Sequence, residues 1–370
     1  MIVVNPKRTR VSPVGTAVVG IYYPNGVFHE DTENAGISYV LDHLLYEMLH
    51  TTITSQRNCL VFGHTYYGYS GYQVMCPADK VDDIVKTIGY ILYDHPLSDQ
   101  NLSLWFELRK KTAHTTPVPI ENQYYSKCIP NQPLASTLSN RMNYLPSWDK
   151  LCQWRAKYIQ KQRVVCYITG GSYEDISREE GIVFSDSILP VFSPAKITLP
   201  KHIPWQRINI VYSVPYQLTA TNILVSEALC EMVRSRIAST IHSQGGHLCS
   251  VAFCPDYVPE LRIHFHVPHM HEWGTIQRVE RNLADFPNPS SKHITAIERR
   301  IHSFYFRMYD NPLEWNRFAG YNLMSGNRYD LLALRDLHTY EEQISHESLR
   351  LAFDNIKAEK ERNIFMAAVR

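Results

Sequence analysis

The sequence predicts an α+β chain of two similar domains, each an antiparallel sheet packed by helices. Three observations carry that expectation. Residues 36–50 place Ile37, Val40, Leu41, Leu44, Leu45, Met48 and Leu49 at i, i+3, i+4, i+7, i+8, i+11 and i+12, which a helix gathers onto one apolar face. Strand patterns flank this helix, at 16–23 before it and 58–76 after it. After a Ser- and Pro-rich stretch at 186–204, the order strand, helix, strand, strand returns, a weak internal repeat in sequence but a clear one in element order.

Taken in order, residues 16–23 read as a strand, followed by a turn at Pro24, Asn25 and Gly26 and the acidic Glu30, Asp31 and Glu33. Residues 58–76 read as strand, turn and strand. Pro77 opens a helix whose apolar face is Val81, Ile84, Val85, Ile88 and Ile91, and Asp94 to Leu97 breaks it. Residues 145–158 read as a helix with Ser147 as its N-cap, and 163–171 as a strand ending in glycine. In the second half, 207–214 is a strand, about 221–242 a helix, 246–253 and 260–267 two strands, 292–309 and 340–360 helices, and 364–369 a closing strand. The expected division is 1–190, a linker at 191–204, and 205–370.

Composition narrows the function. Thirty-seven basic and 36 acidic residues give a net charge of +1, no electrostatic footprint for nucleic acid. No apolar run reaches the length of a membrane-spanning helix. The N-terminal residues lack the order of a signal peptide, so a cytoplasmic protein is expected. Eight cysteines without a Cys-x-x-Cys pair read as buried free thiols. No Gly-x-Ser-x-Gly elbow or phosphate loop is present, and the Gly170-Gly171 and Gly245-Gly246 pairs read as strand ends and turns.

Opposite the apolar stripe of the first helix, Tyr39, Asp42, His43, Tyr46, Glu47 and His50 form a second stripe of ionisable and aromatic residues. This stretch resembles the start of a pitrilysin or mitochondrial-processing-peptidase subunit. Those inverted zincins carry His-x-x-Glu-His on this helix, two imidazoles one turn apart for Zn²⁺ and a Glu to take a proton from the bound water. In the resemblance Tyr39 stands at the first His, Asp42 at the Glu and His43 at the second His. A phenol with a pKa of about 10 is a poor zinc ligand at neutral pH, and Asp is one methylene shorter than Glu. The third ligand, a Glu in the family, falls near Ala113 or His114, and Glu107 lies too early. The resemblance implies that the fold is kept and the zinc chemistry lost.

The resemblance extends along nearly the whole chain. Gly63, His64 and Thr65 stand at the family's Ala-x-Thr, on the edge strand that accepts substrate peptide by strand addition. Phe62 takes the place of the family's Asn, and Tyr72 matches its later Tyr. Of the family's His-Pro-x-Gly only the Pro is kept, at Gln132 to Ala135. The Arg and Tyr that polarise the scissile peptide in substrate-binding members fall on His242 and Cys249. The family's clam-like pair of halves, with peptide bound on a sheet edge inside, is the implied architecture.

Family members of this length work as two-chain assemblies. One chain carries zinc; the other completes the chamber and helps hold the peptide. The resemblance therefore implies a non-catalytic subunit with no cofactor of its own, partnered by a zinc-peptidase sister subunit and a peptide substrate, and self-associating in isolation as an alternative. A narrower likeness is to the AlbE-like proteins of subtilosin-type bacteriocin operons, short motif-degenerate members that accompany a zinc-bearing partner in peptide trimming. Two other readings stand beside this one: a divergent metallopeptidase using His43, His114 and Asp42, and a purely structural assembly subunit. The rival signal is His264, His266, His269 and His271. His264 and His266 share a face of a strand, so a His-x-His metal site competes with a His-rich strand and loop.

Overall fold

The computed structural model describes residues 2–4, 15–97, 146–170, 196–198, 205–254, 260–324, 344–358 and 362–368, with short breaks inside these stretches, and isolated helical positions 103 and 107. His114 and the segment 132–135 lie outside the described residues. The chain forms two compact units, Met1–Ile188 with Phe306–Asn327, and Leu189–Tyr305 with Arg328–Arg370.

The first unit is built on a five-stranded sheet of β1 (Ile2–Val4), β2 (Thr16–Tyr23), β3 (Leu60–Thr65), β4 (Ser70–Pro77) and β5 (Val165–Thr169), in the order β1-β5-β2-β4-β3. Only β1 runs parallel to its neighbour. The second unit repeats the plan with β6 (Lys196–Thr198), β7 (Trp205–Ser213), β8 (His247–Cys254), β9 (Glu260–Pro268) and β10 (Arg362–Ala368), in the order β6-β10-β7-β9-β8. Its first strand is again the parallel one. The repeat holds to the residue: Thr16 pairs with Pro77 and Trp205 with Pro268, and each proline leads through a 3-10 turn into a helix. The sequence reading missed β1 and β6, three residues each, and β6 lies within the stretch read as linker.

One face of the first sheet carries α1 (Ile37–Thr54), α2 (Val81–Tyr93) and α3 (Trp148–Tyr158). The α1 stripe is buried as its spacing predicts, and it runs one turn beyond the expected end because Ile53 continues it. The Ser147 hydroxyl accepts the Lys150 N–H at 3.3 Å, the predicted cap. Arg155 then ties α3 to the end of α2, donating to the carbonyls of Ile91, Leu92 and His95 at 2.8–3.0 Å. These carbonyls lie at and just beyond the helix C-terminus, where a cation and its donors are favoured.

In the second unit α4 (Ala220–Ser243) lies on the sheet with α5 (Glu272–Asn282) and α8 (His346–Ala358) beside it. Two further helices are α6 (Ser291–Asp310) and α7 (Pro312–Met324). The last helix starts at 346, not 340, with Ser345 and Ser348 exchanging backbone and hydroxyl bonds at its start. No helix among the described residues is long and apolar enough to cross a membrane.

The other face of the first sheet is covered by α7. Asn316, fully buried, lies over Gly20 and donates to the carbonyls of Val18 and Tyr167 and the Thr169 hydroxyl. The Tyr22 hydroxyl donates to the Asn316 side-chain oxygen at 2.7 Å. Gly320 lets the Tyr22 ring lie against the helix: a Cβ there would come within 2.1 Å of it.

Alanine at a helical glycine gains up to about 1 kcal/mol in propensity, and forcing a methyl into a packed contact costs about 1–3 kcal/mol. Clash should therefore outweigh propensity in Gly320→Ala, lowering the unfolding free energy by at least about 1 kcal/mol in a guanidinium titration. Gly89→Ala, in α2 with nothing within 4 Å of the new methyl, should raise it by a few tenths to about 1 kcal/mol.

Candidate functional site

The start of α1 is fixed from outside the helix. Gly36 precedes it with φ 88°, a left-handed conformation that favours glycine. No side chain next to the helix caps it. The buried carboxylate of Glu30 does so at a distance, accepting the backbone N–H of Gly36 at 2.7 Å and of Ser38 at 3.0 Å. A carboxylate on these N–H groups satisfies otherwise orphaned donors and sits at the positive end of the helix dipole.

One turn in, Asp42 departs from the expected picture. The sequence places it on the polar stripe, yet its side chain is buried, 4% exposed. Its Oδ1 accepts the Tyr23 hydroxyl at 2.8 Å and the Asn25 amide at 2.7 Å, and its Oδ2 is bonded to the Ser70 hydroxyl. Tyr72 donates to the Asp42 backbone carbonyl at 2.9 Å, and the Tyr23 and Tyr72 hydroxyls meet at 2.8 Å. Behind them the Trp154 indole N–H donates to Asn25 at 2.8 Å, and Ser70 donates to the Asn25 carbonyl at 2.8 Å. The carboxyl is thus held by side chains of β2, the turn after it and β4, with Thr65 of β3 also bonded to it.

The protons in this cluster can be counted. Tyr23, Tyr72 and Ser70 have one hydroxyl hydrogen each, yet their oxygens take part in five short contacts: Tyr23–Asp42, Tyr23–Tyr72, Tyr72–Asp42 carbonyl, Ser70–Asp42 and Ser70–Asn25 carbonyl. A proton on the carboxyl supplies a fourth hydrogen, enough for four of the five contacts, and leaves fewer oxygens facing each other without one. Burial acts the same way and lifts Asp42 to about 7, against the pull of hydrogen bonds from Ser70, Tyr23, Asn25 and Thr65. Burial also raises both tyrosines well above their ordinary value, so the phenols stay neutral.

Tyr39 and His43 lie outside this cluster. They stack at 6.3 Å with a 24° interplanar angle, and the row continues through Tyr46 to His50. The His43 Nε2 is 3.7 Å from Glu47. Tyr46 packs on β3 at Gly63, where a Cβ would approach its ring to 2.8 Å. The zinc of the resembled family needs two imidazoles and a carboxylate free to reach a bound water. Here the described residues offer one imidazole, a stacked phenol and a carboxyl occupied by the interior, so this donor set does not fit the ion.

Gly63, His64 and Thr65 lie together on β3, the edge strand of the first sheet. Gly63 and Thr65 are exposed; His64 is half-buried and shares a hydrogen bond of 2.9 Å with Gln73. Burial holds its imidazole below the ordinary value. His242 is exposed at the end of α4, 6.2 Å ring to ring from His247. Cys249 lies on β8, its Sγ 3.8 Å from the His247 carbonyl oxygen. Sequence reasoning missed the residues that decide Asp42's role, namely Tyr23, Asn25, Ser70 and Trp154. Their signal was the polar Asn25 and Ser70 at the ends of two apolar strands.

The proton count gives a signed prediction. An Asp bound to a proton in the native state up to about pH 7, but unfolded with a pKa of about 4, stabilises the fold below pH 4. That contribution is lost as pH rises toward 7. His29, held at about 4 by burial, slopes the other way, so the difference between parent and Asp42→Asn isolates the carboxyl. Asparagine can accept from Tyr23 and Asn25 and donate to Ser70. In guanidinium titrations Asp42→Asn should gain stability relative to the parent between pH 5 and pH 8. An equal difference at both pH values would sink the buried-proton account.

No family model matches the chain, and no curated protein matches it. Solved structures do. A protease from Helicobacter pylori matches with a TM-score of 0.70 at 10% identity, covering 99% of this chain and 96% of that one. An inactive domain of an M16 peptidase from Pseudomonas fluorescens matches with a TM-score of 0.72 at 10% identity, covering 100% and 95%. The periplasmic protease PqqL from Escherichia coli matches with a TM-score of 0.67 at 8% identity, covering 97% of this chain and 43% of that longer one. The fold of this chain is therefore that of the pitrilysin-like M16 peptidases.

Proposed function

We propose that the chain is a non-catalytic member of a two-chain zinc peptidase, holding peptide for a sister subunit that carries the metal. The observation that carries this reading is the placement of Asp42. At the position where the resembled family keeps its proton-accepting Glu, the carboxyl faces inward and is used by Tyr23, Asn25 and Ser70. A group so enclosed has no route to a water on a metal. The likeness to an inactive M16 peptidase domain fits the same role.

Peptide holding rests on β3. An edge strand offers a row of backbone donors and acceptors to an extended peptide, and β3, with Gly63, His64 and Thr65, is the edge strand of the first sheet. His242 and Cys249 are the proposed second-unit contacts. Precursor or leader trimming in bacteriocin maturation of the subtilosin type is the setting proposed, supported by chain length and motif decay. A reducing compartment, the cytoplasm, suits the free thiols at Cys59, Cys76, Cys166 and Cys249.

The purified chain alone should cleave no peptide. Mixed with the zinc-bearing sister subunit, it should raise the sister's peptidase rate at least about tenfold, and His43→Ala in this chain should leave that rate unchanged. Chelator-sensitive cleavage by the chain alone, abolished by His43→Ala, would establish a divergent metallopeptidase instead. Complex formation with no gain in rate would establish a structural subunit.

A further inference from the structure

We propose that Cys249, His264 and His266 form a three-ligand site for a thiophilic divalent cation of the zinc class, separate from the α1 position; it gives Cys249, named above as a peptide contact, the role of a metal ligand instead. The ligand atoms of the three side chains all lie within 4.8 Å of one another. All three are half-buried. The two imidazoles come from alternate positions of β9, facing away from the buried Leu261, Ile263, Phe265 and Val267 of the same strand. Their ring centroids are 5.1 Å apart at 68°.

The thiol reaches them through a defect in pairing. Along β8 and β9, Leu248 pairs with Phe265 and Ser250 with His264, leaving Cys249 as an extra residue between them. A β-bulge of this kind re-aims a side chain, and here it brings sulfur to the face that holds the two rings.

The repeat supplies a control within the molecule. With Thr16–Pro77 set on Trp205–Pro268, the counterparts of His264 and His266 are Gln73 and Met75. Between Val61 and Phe62, the counterparts of Leu248 and Ser250, pairing runs on with no extra residue. The same sheet is thus built in the first unit without imidazole at either position and without the bulge. Neither the histidines nor the inserted cysteine is required by the fold, and the second unit has all three in one place.

The donor set selects the ion. One sulfur and two imidazole nitrogens suit Zn²⁺, with bonds of roughly 2.0–2.3 Å and a fourth tetrahedral position left for water. They do not suit Mg²⁺ or Ca²⁺, which require oxygen. A thiolate and two neutral imidazoles carry one negative charge, so the loaded site carries a net single positive charge. Arg207, opposite His266 on β7, and His247, opposite it on β8, are the nearby cationic or titratable groups. They add a repulsion that a thiolate offsets and that an all-imidazole site would not.

The test uses the metal-free full chain. Titration with Co²⁺ should give a thiolate-to-metal charge-transfer band that saturates at one ion per chain and is displaced by Zn²⁺ but not by Mg²⁺. Cys249→Ser should remove the band, and His264→Gln should weaken binding about tenfold or more, at least the cost of losing a ligand's outer-shell support. His43→Ala should change neither. A readout that needs no variant guards against misfolding: Zn²⁺ should protect Cys249 from alkylation, followed by mass spectrometry, while the exposed Cys152 stays reactive. Absence of the band at stoichiometric Co²⁺, or alkylation of Cys249 unaffected by Zn²⁺, would overturn the proposal.

Discussion

A carboxyl group buried in a protein interior has to be fully hydrogen-bonded, neutralised, or both, and the first unit is arranged around meeting that requirement at Asp42. Its partners come from β2, the turn after β2 and β4, with Trp154 of α3 supporting Asn25 from behind. Glu30 meets a similar demand one turn earlier by taking on the orphaned N–H groups of α1. The two buried acids fix the helix on the sheet by polar contacts that an apolar stripe cannot specify. The stripe of α1 decides which face is buried; Asp42 and Glu30 decide where along the sheet the helix starts and how it is rotated.

The two units show how one topology takes different polar content. Strand order and pairing agree between them, down to the prolines that end β4 and β9. On the first sheet, the face away from α1 is polar at Gln73 and is closed by Asn316 of α7 lying over Gly20. On the second, the register-equivalent positions hold Arg207, Asn209, His264 and His266. The apolar face toward the helices is retained in both because it carries the burial; the opposite face is where residues are free to differ.

Much of this was legible in the sequence, and the reasons are specific. The α1 stripe, the β3–β4 hairpin, the Ser147 cap and the order of elements in the second half all follow from periodicity and local capping, which act over a few residues. What failed was of two kinds. Short elements escaped: β1 and β6 have three residues each and exist only because β5 and β10 pair with them. Local signals were also passed over. Asn311 before Pro312 is a start signal for α7, with the Asn311 side chain accepting the N–H of Leu313 at 3.1 Å, and Pro268 announces α5 as Pro77 announces α2. The inward turn of Asp42 was not legible at all, because its partners lie 17 to 28 residues away in sequence.

The length of the side chain at position 42 links the two outcomes open to this helix. Asp42 already sits at ordinary hydrogen-bond length, 2.7–2.8 Å, from two of its donors. A Glu at the same backbone position carries one more methylene and has no room to make these contacts; it would have to swing aside, out of the cluster. Tyr23, Asn25 and Ser70 therefore form a receptor fitted to the shorter acid. An interior matched to Asp at this point is one in which the carboxyl contributes to folding, and the same group cannot also be presented to a metal-bound water.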